Sequence, residues 1–302
     1  MLRMKFWLYL LMMMVNMSLH AISKDRLLEL LSPKSIQSPF KYPIGIKVIP
    51  SSQANAEVMI CFHGFGGSNY IADILRSHAA IHEHLVSFNF PDYNIFATGY
   101  DLSKIAYGTV QELLPGIYVI KKCVIDGNMS AINLYGFSAG AGAIVNILAT
   151  LNSSRFDKEL QQIGITQEDK EKMLAAIQKG YIIFNCPLRS VEEIIDYRGS
   201  SPDLDFMAKR YRDNKLRPID SLKGLEKLKL NVLVHFQVPD NILSNRDDQL
   251  FIQQLREYNK GNTCVVIGND GGHNVYHASL WKIYPEFMAG QCQNKTIDLL
   301  RK

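Results

Sequence analysis

The segment Ala131-Ile132-Asn133-Leu134-Tyr135-Gly136-Phe137-Ser138-Ala139-Gly140 decides the fold. Its first five residues read as a short, mostly apolar strand, of the kind buried on both faces in a parallel sheet. Its last five fit G-x-S-x-G. The chain then continues through Ala141, Gly142 and Ala143 as a helix of small side chains to Leu151. A serine at such a strand-to-helix turn can be held outward as a nucleophile, provided its neighbours are small enough for two backbones to approach closely. The pentapeptide alone suits a plain tight turn with a hydrogen-bonded serine equally well.

Strand and helix patterns alternate on both sides of this segment. Strands are predicted at Ile44–Ile49, Glu57–Phe62, Tyr181–Asn185, Asn231–Phe236 and Thr263–Ile267, with apolar pieces at Leu85–Phe90 and Asn94–Thr98. Helices are predicted at Tyr70–His84, Val110–Ile125, Ala139–Leu151, Asp247–Tyr258 and Ala278–Ala289. A further helix runs from the capping box at Thr166-Gln167-Glu168-Asp169 to the stop at Gly180. Short connections between alternating strands and helices predict an α/β fold with a doubly wound, mostly parallel sheet. Residues 186–228, richer in charge and turn residues, read as an insertion into one domain rather than a second domain.

Two further loops share the chemistry of the serine turn. His63-Gly64-Phe65-Gly66-Gly67 follows the strand Glu57–Phe62, and Gly271-Gly272-His273 follows the strand Thr263–Ile267. Glycines after a strand leave backbone N–H groups able to face a developing oxyanion. The first loop fits neither the dinucleotide fingerprint nor the P-loop. From about Ile44 to Ala289 these pieces resemble the α/β-hydrolase superfamily, whose serine esterases and lipases share them. That resemblance implies a central sheet with helices on both faces and a small cap insertion at about 186–228. It implies Ser138 as nucleophile and His273 as general base, with the backbone N–H groups of Phe65 and Ala139 as oxyanion hole. The family's acid follows the strand after the cap, in a loop resembling D-x-x-V-P; here the corresponding segment is Gln237-Val238-Pro239-Asp240. We take Asp240 as the acid. Asp247 and Asp248 suit the start of the next helix, Asp270 suits a loop turn, and Glu192, Glu193 and Asp196 occupy a position some relatives use. The implied activity is cleavage of an acyl bond, foremost a carboxylic ester, through an acyl-enzyme; a peptidase, thioesterase or lipase uses the same triad. A silent hydrolase-like binding protein is the reading outside enzymes.

Arg3 and Lys5 precede an unbroken apolar run of ten, Phe6 to Val15, and small residues follow at Ser18–Ser23. This reads as a secretory signal peptide over residues 1–23, too short to span a bilayer. Cleavage suits Ala21 or Ser23, and Ser23 gives an Ala-x-Ser site. The expected destination is secreted or periplasmic, with residues 24–302 as the mature domain and no stable membrane span.

The 302 residues carry 33 Lys+Arg against 29 Asp+Glu, and losing the leader leaves 31 against 29. So balanced a chain gives no case for a nucleic-acid partner, and 47% apolar residues exclude a disordered one. The expected partner is a small acyl-containing substrate. No cofactor or metal is expected, and the oligomeric state is left open. His78-x-x-x-His82, with Glu83 and His84, could place two imidazoles on one helical face, but no third ligand is evident and a solvated face is the simpler reading. The five cysteines show no CxxC pair. Cys61 and Cys264, inside apolar runs, read as small hydrophobes. Asn128, Asn152 and Asn294 stand in glycosylation triplets, which matter only where the source glycosylates exported proteins.

Overall fold

The computed structural model describes residues 21–32, 39–40, 44–53, 55–90, 106–274 and 277–300. The apolar run of the leader and the piece Asn94–Thr98 lie outside the described residues.

In chain order, the elements begin with β1 (Ile22–Ser23), α1 (Lys24–Leu30), β2 (Lys47–Ile49), β3 (Asn55–Ala56) and β4 (Val58–Phe62). There follow α2 (Ile71–Arg76), β5 (His84–Ser87), α3 (Val110–Lys121), β6 (Asn133–Phe137), α4 (Ala139–Leu151), α5 (Asp157–Gln162), α6 (Gln167–Lys179) and β7 (Ile182–Asn185). Residues 186–228 hold α7 (Glu192–Arg198), α8 (Pro202–Asp213) and α9 (Pro218–Ser221). The chain closes with β8 (Asn231–Gln237), α10 (Asp248–Tyr258), β9 (Asn262–Gly268), α11 (Ala278–Met288) and β10 (Thr296–Asp298).

Eight strands form one sheet in the order β10-β9-β8-β7-β6-β4-β5-β2. Every pair is parallel except β2 with β5. The strands β4, β5 and β7 are buried along their whole length, because helices cover both faces. One apolar layer packs α3, α4 and α6 onto Ile60, Leu134 and Val234; the other packs α2 and α11 onto Met59, Tyr135 and Leu233. Parallel register brings the C-terminal ends of β4, β6, β8 and β9 to one edge, where crevices for ligands form in open α/β sheets.

Three expectations are corrected. The helix expected over Tyr70–His84 ends at Arg76, whose guanidinium donates to Ile81 O at 3.1 Å and Ile49 O at 3.2 Å and also to Glu83 O. These contacts fold the chain into a turn before β5, so His78 and His82 share no helical face. His78 stacks on Trp281, and His84 accepts from Ser51 N–H within the core. Cys264 is no free hydrophobe: it is disulfide-bonded to Cys292, beyond α11. Sheet formation also begins earlier than expected, since β1 pairs antiparallel with β3 through Ile22 and Ala56.

Candidate active site

Ser138 sits between β6 and α4 with φ 53° and ψ −118°, a left-handed-side conformation that costs a non-glycine residue about 1–3 kcal/mol. Its neighbours explain how the turn closes. A Cβ on Gly136 would lie 2.5 Å from Ala141 Cα, and one on Gly140 would lie 2.3 Å from Phe62 O. Ser138 is also bonded on both backbone groups: its N–H donates to Asn185 O at 2.9 Å, and its carbonyl accepts from Leu188 N–H at 3.0 Å. The strained turn is therefore held from β7 and from the loop after it.

Ala139 opens α4, and among the described residues its N–H has no backbone acceptor, as expected in a first helical turn. Phe65 approaches from the glycine loop after β4. Gly64 comes close to the elbow: a Cβ there would be 3.2 Å from Ser138 Cβ. His63, which sequence reading left without a role, fixes this loop. Its Nδ1–H donates to Gly64 O at 2.8 Å, and its Nε2 accepts from Phe90 N–H at 3.1 Å. Burial lowers its pKa to about 4, so the ring is neutral and holds this one tautomer at neutral pH.

Asp240 and His273 meet at 2.6 Å through Oδ2 and Nδ1. The other carboxylate oxygen accepts from Ile242 N–H at 2.7 Å and Leu243 N–H at 2.9 Å. Burial alone would raise the Asp240 pKa, but the hydrogen bond and charge of His273, with the two N–H donors, hold it below the ordinary carboxylate value. His273 is fixed by its backbone as well, donating to Asn241 Oδ1 at 2.7 Å, while Gly271 and Gly272 take φ values of 100° and 130°. Ser138 and His273 line one cavity of about 460 Å³. No hydrogen bond joins their side chains among the described residues, which is common before a substrate tightens such a site.

Four of the other acids weighed from sequence have partners elsewhere. Glu193 pairs with the buried Arg189 at 2.6 Å, and Asp248 pairs with the same guanidinium, which also donates to Ser244 O at 2.9 Å. Burial pushes Glu193 up to about 7 and Asp248 up to about 6, against the pull of Arg189. Glu192 pairs with Arg212. Asp270 accepts from Ser279. Arg189 is thus buried as a clamp between the loop after β7 and the segment that follows Asp240.

The segment after β7 shapes the cavity through apolar side chains. Leu188, Ile194, Leu204 and Met207 line it with Phe65 and Ile242, while Arg198, Ser201, Asp203 and Asn274 add polar groups to those of Ser138 and His273.

No family model matches the sequence, and no curated protein matches it. Solved structures do resemble it. The carboxylesterase Cest-2923 from Lactobacillus plantarum WCFS1 is 13% identical, with a TM-score of 0.55 over 82% of this chain and 91% of that one. Acetyl xylan esterase 1 from Thermoanaerobacterium sp. JW/SL YS485 is 11% identical, with a TM-score of 0.51 over 82% and 79%. The Pyrococcus horikoshii acylaminoacyl peptidase is 16% identical, with a TM-score of 0.50 over 82% of this chain and 39% of that longer one.

Proposed function

We propose that this chain, which has the α/β-hydrolase fold, is an exported serine hydrolase that cleaves carboxylic esters. The observation that carries this reading is the Asp240–His273 contact of 2.6 Å at the cavity that also holds the strained Ser138. In the proposed cycle, His273 Nε2 takes the Ser138 proton as Oγ attacks the acyl carbon. Asp240 accepts from His273 Nδ1–H, fixes the tautomer and stabilises the imidazolium. The N–H groups of Phe65 and Ala139 meet the oxyanion, each donor contributing about 3 kcal/mol in the transition state. The imidazolium then protonates the leaving alkoxide. Water, activated by the same imidazole, releases the acid.

The apolar wall of Leu188, Ile194, Leu204 and Met207 supports an acyl chain as the bound group. A panel of nitrophenyl esters of rising chain length, a thioester and an aminoacyl amide tests the bond. Ester turnover is expected to exceed amide turnover and to rise with acyl length until the cavity is filled. Preferential amide cleavage would move the reading to a peptidase. No turnover and no fluorophosphonate labelling would move it to a silent binding protein.

The N-terminal leader, with Arg3 and Lys5 before the apolar run Phe6–Val15, supports export, and the buried Cys264–Cys292 disulfide suits an oxidising destination. The two candidate cuts differ in consequence. Cleavage after Ser23 removes β1, the buried Ile22 and the Ser23 hydroxyl that caps α1 by accepting from Arg26 N–H at 3.3 Å. Cleavage after Ala21 keeps all three. We therefore place the cut after Ala21 and expect N-terminal sequencing of the exported protein to begin at Ile22. A start at Lys24 would reject this placement.

A further inference from the structure

Beneath the proposed triad lies a second cluster that the hydrolytic cycle does not use. Cys186, His235 and His277 are all buried, and one ligand atom from each lies within 4.8 Å of the other two. Cys186 Sγ stands 3.8 Å from His235 Nδ1 and 3.8 Å from His277 Nε2. A tetrahedral zinc with Zn–S near 2.3 Å and Zn–N near 2.0–2.1 Å sets its sulfur and nitrogen ligands about 3.6 Å apart. Both sulfur–nitrogen distances therefore stand a few tenths of an ångström from zinc-ligand spacing.

We propose that Cys186, His235 and His277 form a binding site for a thiophilic d10 cation, zinc foremost, which inhibits hydrolysis when filled. A thiolate with two imidazoles selects such ions over hard cations such as magnesium. Two protein features support the site. His235 is backed on its far side: Nε2 lies 2.7 Å from Ser279 Oγ, and Ser279 donates in turn to Asp270. With a cation bound, the ring would donate Nε2–H to Ser279 Oγ and turn its Nδ1 lone pair to the metal, which is how outer partners orient metal-bound histidines. A cation would displace two contacts, His235 Nδ1–H with Asn185 Oδ1 at 2.9 Å and His277 Nε2–H with Gly272 O at 3.2 Å. The cluster adjoins the acyl cavity: Phe137, which lines it, packs its ring 5.1 Å from that of His273 and 6.1 Å from that of His277.

On binding, the Cys186 thiol loses its proton to solvent, and both imidazoles bind neutral. The inhibition rests on the proposed function. Ligand atoms of Cys186, Asp240 and His273 also lie within 4.8 Å of one another. A cation on Cys186 therefore adds positive charge beside Asp240 and opposes formation of the His273 imidazolium.

The test is equilibrium dialysis of the full mature chain against buffered Zn2+, with Mg2+ as the hard-cation control. One zinc per chain is expected, along with a thiolate-to-metal charge-transfer band when Co2+ replaces it. Cys186→Ser and His277→Gln should each weaken binding by more than about 100-fold, beyond the 10–100-fold typical of losing an outer partner. Either variant suffices if the other fails to fold. Zinc affinity unchanged in both variants, or a Co2+ complex without the thiolate band, would overturn the site. Full ester turnover by zinc-loaded protein would overturn the inhibition. These binding measurements need no turnover. An inactive protein that still binds zinc in this way therefore refutes the hydrolase reading and not the site.

Discussion

Ser138→Ala should lower ester turnover on the order of 10⁶-fold, as loss of the nucleophile does when a triad acts as one unit. Labelling by a serine-directed fluorophosphonate should vanish with it. The fold should survive. Ser138 Oγ makes no hydrogen bond among the described residues, and alanine keeps the Cβ already accommodated beside Gly64. The backbone strain at φ 53° is common to serine and alanine, so it does not separate the two proteins. Ser138→Gly separates strain from chemistry. Glycine adopts positive φ freely, at a cost in chain entropy of about 0.5–1 kcal/mol against a strain of about 1–3 kcal/mol. Ser138→Gly should therefore be inactive yet melt no lower than Ser138→Ala. Persistent labelling in either variant would place the nucleophile elsewhere. A glycine variant that melts several degrees lower would show that the turn stores no strain.

What was legible in the sequence follows from how local each constraint is. The elbow was readable because the residues it demands stand within ten positions. Gly136 is required where α4 folds back on β6 and Gly140 where α4 meets Phe62 O at the end of β4, and the small residues after Ser138 announce both approaches. The glycines before His273 announce their own φ values in the same way. Asp240 needed more than local pattern, since six other acids were candidates. What sets it apart is spatial: β8 and β9 are adjacent and parallel, so the loops leaving their C-terminal ends must meet. Strand order is also what hides the remaining features. Arg189 resembles any basic residue of a charged insertion until Glu193 and Asp248 close around it. His235 reads as one polar residue in an apolar strand; only the packing of β8 against β7 and α11 gives it Asn185 and Ser279. The early end of α2 is likewise imposed from outside, by carbonyls that Arg76 reaches across the turn.

Asp240→Asn carries the second large expectation, a loss of roughly 10⁴-fold in kcat with little change in KM. The reason is the tautomer. The Asp240 carboxylate only accepts, so it holds the proton on His273 Nδ1 and leaves Nε2 free as the base. An asparagine can keep the acceptor contacts to Ile242 N–H and Leu243 N–H through its oxygen, so the loop stays in place. Its amide nitrogen then faces His273 Nδ1 as a donor, which drives the ring proton to Nε2 and removes the lone pair that activates Ser138. The loss of the negative charge also leaves the imidazolium of the transition state without its partner. Both effects act on kcat and on the rate of fluorophosphonate labelling, and neither touches the apolar wall that binds the acyl chain. The rival acids give the contrast. Glu193→Gln or Asp248→Asn removes a partner of the buried Arg189, a change that typically costs about 3–5 kcal/mol of stability. Those variants should melt well below the parent while keeping a far larger share of kcat than Asp240→Asn. If Asp240→Asn keeps most of its turnover while one of the others loses it, the acid of the triad has been misassigned and the Asp240–His273 contact serves only to hold the loop.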